Sequence, residues 1–259
     1  MLVVDLVAAS GALLYLALGT LKWTLGRRGE AVYDFEAAVN VLLYTVILQV
    51  IFSAADSIAG SIGIPISLNS AGFVSERLNE SSLTFANASR LAVETILYVQ
   101  SERAVLASAP LTSPFASVLG AATGWSVTEL SIAAVFFLHL SFASRVVAAA
   151  SQYLALVGSA LLPVPKFRRW GSSFLAIYLA TSLGLLYSNS VTAKAIGRVH
   201  RPSPFSPADW VNVASIAGET AVALGEAMTL SAVALSLATA AGVGFAGIFE
   251  GIYVNFVRV

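Results

Sequence analysis

Residues 37–55 read AAVNVLLYTVILQVIFSAA, with no charged side chain in the run. Residues 171–193 read GSSFLAIYLATSLGLLYSNSVTA and are equally uncharged. A helix crossing a hydrocarbon core of about 30 Å needs about 20 mostly apolar residues. Backbone amides and carbonyls find no water there, so the segment must satisfy them internally, and a helix does so. The two runs predict an all-α, polytopic transmembrane protein.

Composition carries the same message. Apolar residues make up 58% of the 259 positions, charged residues only 11%, and mean hydropathy is +0.84. A soluble domain carries about 25% charged residues, so this chain cannot cover itself with a hydrated surface. Membrane lipid is the partner that composition requires. The 14 basic and 14 acidic residues cancel, so no global field gathers nucleic acid. The absence of cysteine excludes disulfides, thiolate catalysis and Cys-ligated metals, and His139 and His200 are the only imidazoles. No acid pair, nucleophile elbow or phosphate loop is evident. The expectation is a non-enzyme with no metal and no cofactor.

Working outward, Leu2–Leu25 predicts the first span, closed by Lys22 and Trp23 and followed by Arg27 and Arg28. Its acidic residue, Asp5, precedes the apolar run and its basic residues follow it, the reverse of a signal peptide. Trp125–Leu162 is apolar but long, about 57 Å as a helix; it either extends beyond the membrane or breaks near Arg145–Gln152. Ala227–Phe249 supplies a last span. The count is five, or six if Gly242–Gly247 turns the chain, within one integral membrane domain over residues 1–259.

Residues 67–115 are polar, as in SERLNESSLTFANASR, and predict an extracellular loop with an amphipathic helix over Leu91–Leu106. Two Asn-x-Ser sequons, at Asn79 and Asn87, make these the glycosylation candidates. A basic turn over residues 164–170, with Lys166, Arg168, Arg169 and Trp170, predicts a cytoplasmic anchor, or a contact for phosphate backbones or an ATPase. Pro202, Pro204 and Pro207 mark residues 194–209 as a connector. The sequons and most basic loops place the N-terminus outside; Lys194, Arg198 and Arg201 point the other way.

Ionisable residues within apolar runs mark polar pathways or helix contacts. Asp56, Glu129, His139, Arg145, Glu219 and Glu226 are the pathway candidates; Asp5 and Glu250 also lie in such runs. Glu219 and Glu226 are seven apart, each after a glycine, and share one helix face. They line a polar lumen in a ring of subunits, or sit at the interface or in an extracellular half-helix. Glu129, His139 and Arg145 form a relay on one helix, or else a structural pair, or Arg145 snorkels to a headgroup. Gly120-x3-Gly124 and Gly247-x3-Gly251 suit close helix packing.

From Ser151 to Leu186 the chain reads SQYLALVGSALLPVPKFRRWGSSFLAIYLATSLGLL: a small-residue-rich helix stopped by proline, a brief basic turn, then Trp and another apolar helix. This resembles the TrbL-like polytopic membrane subunits of conjugation and type IV secretion machines, and among them the crenarchaeal CedA-type relatives of the Ced DNA-import system. Size, the polar segment and the lack of cysteine are similar, and eleven arginines against three lysines suit an archaeal chain. The resemblance covers about Trp125 to Ala193; Pro163, Pro165 and the short turn depart from the usual pattern. It implies a channel or pilus-assembly platform in DNA transfer, self-associated into a pentameric ring, working with a pilin and a HerA/VirB-type ATPase, with DNA as the translocated substrate. The alternative is a small-solute or ion transporter using the intramembrane acidic residues.

Overall fold

The computed structural model describes residues 2–61, 67–68, 70–162, 167–203 and 206–251. Lys166, the Pro163–Pro165 break, and the side chains of Asp5 and Glu250 lie outside the described residues. Among the described residues seven helices follow in order, α1 Leu2–Thr24, α2 Arg28–Ser61, α3 Ala71–Ser108, α4 Ser113–Leu161, α5 Arg168–Arg198, the short α6 Pro207–Val211, and α7 Val213–Gly251, and there is no strand. Four of them, α2, α4, α5 and α7, are long and apolar enough to cross a membrane. α1 is helical where the first span was expected but is not among these four, so the described residues give four candidate spans and not the expected five or six.

Three elements differ from the expectation. Most of the polar segment of residues 67–115 is one continuous helix, α3, of 38 residues rather than a loop containing a short helix. Its buried positions Leu78, Ser81, Phe85, Ala88, Ala92, Thr95 and Val99 alternate three and four apart, the spacing of a helix seam. Four of those seven are Ser, Thr or Ala, so the seam does not register as apolar in the sequence. α4 runs unbroken for 49 residues, about 74 Å at 1.5 Å per residue, and so extends beyond a bilayer core. Its stretch 145–152 contains no proline and has nothing to break it. α7 continues through Gly242–Gly247 without a turn.

The chain forms two compact units, each assembled from separated segments. The first holds residues 1–76, 147–183 and 237–259. There α1 and α2 form a hairpin whose turn needs Gly26, at φ +82°, a conformation only glycine adopts freely. The Arg27 N–H donates to the Lys22 carbonyl and the Gly26 N–H to that of Trp23, closing the helix in a Schellman cap. A 2.8 Å ion pair between Lys22 and Asp34 holds the hairpin. In the same unit α4 and α5 meet backbone to backbone: a Cβ on Gly158 would sit 2.9 Å from the Leu175 nitrogen, and one on Gly171 only 2.6 Å from that of Leu162.

The second unit holds residues 77–146 and 184–236. α3 and α4 run antiparallel there, because Ser89 donates to the Ala134 carbonyl at 2.8 Å while Ser141 donates to that of Ser82 at 2.9 Å. Phe85 and Phe137 stack between them, centroids 6.4 Å apart. Small hydroxylated residues let the helices approach closely; Ser89 and Ser141 bond carbonyls across the seam, while Ser81 and Thr95 bond carbonyls of their own helix.

Candidate functional site

In the second unit, α5 and α7 enclose a groove of about 190 Å³. α5 contributes Tyr187, Val191, Lys194 and Arg198, successive turns of one stripe, and α7 contributes Glu226 and Leu230. Alanines at 195, 223 and 227 form its walls, and their short side chains leave the space. Arg198 approaches Glu226 at 4.0 Å, with both side chains more than half exposed. Lys194 has no ion pair among the described residues. The groove therefore carries two cations against one carboxylate.

Of the acidic pair marked in the sequence, Glu226 belongs to this groove, whereas Glu219 is exposed and accepts a hydrogen bond from Ser215 at 2.9 Å. Glu129, on α4, lies over Gly225: a Cβ there would come within 2.6 Å of its Oε1. Gly225 thus makes room for the Glu129 carboxylate, which does not line the groove. The groove's cations were read as part of the connector, although their spacing of four after an uncharged run was visible.

The other candidates do not converge on the groove. His139 is exposed on α4, its Nδ1 2.8 Å from the Val135 carbonyl of its own helix. It sits in an outward stripe of Ile132, Val135, Leu138, Phe142 and Val146, all exposed. Arg145 reaches back to Ser82 at 3.4 Å, so these two bases of α4 serve different surroundings. Asp56, in the first unit, accepts the Leu68 N–H at 2.6 Å and the Ser67 hydroxyl at 3.3 Å. Tyr178 donates to the Leu68 carbonyl at 2.6 Å, and together they pin that turn.

Within the basic turn, Arg168 is buried with its guanidinium 4.4 Å from the Tyr44 ring centroid, a cation–π contact inside the fold. Arg169 and Trp170 are exposed in the first turn of α5. Asn79 and Asn87 are exposed on α3, but Ser81 and Ser89 of their sequons spend their hydroxyls on the Arg77 and Ala134 carbonyls. The sequons lie on a packed helix, not a surface loop. Gly124 and Gly247 face open space and Gly120 meets the Arg103 guanidinium; the close approaches are at Gly158 and Gly171 instead.

Between α5 and α6 the connector is tied by Asp209, which is buried. Its carboxylate accepts the Ser203 N–H at 2.8 Å and faces His200 Nε2 at 3.1 Å. The Ser203 amide, then His200, hold its pKa below the ordinary aspartate value. The described residues contain no group of three metal-ligating side chains. No protein-family model, curated protein or solved structure matches the chain.

Proposed function

We propose that this chain is a multi-pass membrane subunit of a DNA-transfer machine, acting as a channel or pilus-assembly platform. The observation that carries the membrane-assembly part is the pairing of α3 with α4. The most apolar stretch of α4 runs through residues 132–149, IAAVFFLHLSFASRVVAA, and the Ser89–Ala134 and Ser141–Ser82 bonds lay α3 along it. At that level α3 exposes the Arg77–Glu80 pair, at 2.8 Å, and Arg90 bonded to Glu94 at 2.6 Å. Charged side chains beside a lipid-facing helix need a water-filled path or a neighbouring subunit around them. That requirement suits a subunit of a larger polar-lined assembly.

DNA as the substrate rests on the resemblance of residues 151–186 to TrbL-like subunits. With it come a pilin, a HerA/VirB-type ATPase and a pentameric ring as partners. α1 counts as a fifth span in this reading, with the N-terminus outside. A solute transporter is less well served, since Asp56, Glu219 and His139 each hold a local partner rather than sharing one site. Deleting the gene should abolish DNA uptake or exchange while nutrient uptake continues; undiminished exchange would remove the DNA reading.

A further inference from the structure

The α5–α7 groove has a polarity gradient along its length. The uncharged run of α5 ends at Ala193, and Lys194 and Arg198 follow. The uncharged run of α7 begins at Ala227, directly after Glu226. The 4.0 Å approach of Arg198 to Glu226 brings these two boundaries to one level. Both helices are long and apolar enough to span, so this level is where each passes from hydrocarbon to headgroups. On the hydrocarbon side the groove is lined by Tyr187, Val191 and Leu230. Its headgroup end holds the two cations and Glu226.

From this geometry we infer that the groove binds an anionic phospholipid, the phosphate held by Lys194 and Arg198 and an acyl chain lying along Val191 and Leu230. Charge selects the occupant: among the lining residues Glu226 offsets one cation and leaves one positive charge in excess, which a zwitterionic headgroup does not neutralise, and Glu129 over Gly225 is not part of that lining. Basic pockets between spanning helices recognise lipid phosphates in this way. Shape agrees, because the cavity of about 190 Å³ admits a phosphate group but falls below the size of ordinary small-molecule pockets. The inference rests on the membrane reading and is independent of DNA transfer.

The test uses the full chain, purified in a neutral detergent and stripped of lipid, and titrated with dioleoylphosphatidylglycerol, dioleoylphosphatidylcholine or inorganic phosphate. Bound lipid is counted by native mass spectrometry. Phosphatidylglycerol should bind several-fold more tightly than phosphatidylcholine. Lys194→Gln or Arg198→Gln should weaken it about fivefold each, Lys194→Arg should preserve it, and Glu226→Gln should tighten it. A normal circular-dichroism melt of each variant separates loss of the site from loss of the fold. Equal binding of the two lipids, or indifference to all three charge-removing changes, would overturn the inference. So would competition by millimolar inorganic phosphate strong enough to displace the lipid, which would make this a simple anion site. A chain that stays dispersed in detergent-free buffer would instead overturn the membrane reading itself.

Discussion

Asp209 shows how one carboxylate shapes a connector that three prolines had marked only as non-helical. Pro207 starts α6 at a position where its missing N–H is harmless, and Asp209 then reaches back to the Ser203 amide and to His200. A carboxylate whose folded pKa is depressed adds stability above its unfolded value, and that stability is lost as pH falls through the folded value. The unfolded reference is 3.8. The Ser203 amide should therefore stay protected from hydrogen exchange from neutral pH down to that value, and lose protection only in stronger acid. Asp209→Asn should expose it at neutral pH. Protection that is unchanged in Asp209→Asn would show that the carboxylate does not hold the turn.

At the level of elements, two glycines set how closely helices approach. Gly171 faces backbone, 2.6 Å from the Leu162 nitrogen, whereas Gly225 faces the movable end of the Glu129 side chain. Gly171→Ala should cost about 1–3 kcal/mol, the range for overpacking, and lower the thermal midpoint in detergent more than Gly225→Ala. Equal midpoints would mean that α4 and α5 do not meet there. The uncharged runs that became α2, α5 and α7 were legible because each is long enough to span and broken by no charge. α3 was not, since Ser81, Ala88 and Thr95 in its seam read as polar or neutral while Arg77, Glu80, Arg90 and Glu94 interrupt its outer face. Glu226 could be singled out from the sequence, but its groove could not. Pairing α5 with α7 brings together residues about thirty apart, and the nearby prolines drew Lys194 and Arg198 into the connector instead.

Across the whole chain, apolar helices leave much of their surface outward. Only 22% of the apolar window of α7, and 33% of that of α4, is buried. In the proposed membrane setting lipid is the solvent that makes such surfaces stable, while the exposed charges of α3 need water or a polar neighbour. In the proposed assembly both conditions hold side by side, on the two helices of one antiparallel pair. The chain contains no cysteine, so single cysteines report without background. In intact membranes, a membrane-impermeant maleimide should label Asn87→Cys on α3 readily and leave Leu138→Cys on the outward stripe of α4 unlabelled. Rapid labelling of Leu138→Cys, matching that of Asn87→Cys, would mean that the outward stripe of α4 faces water.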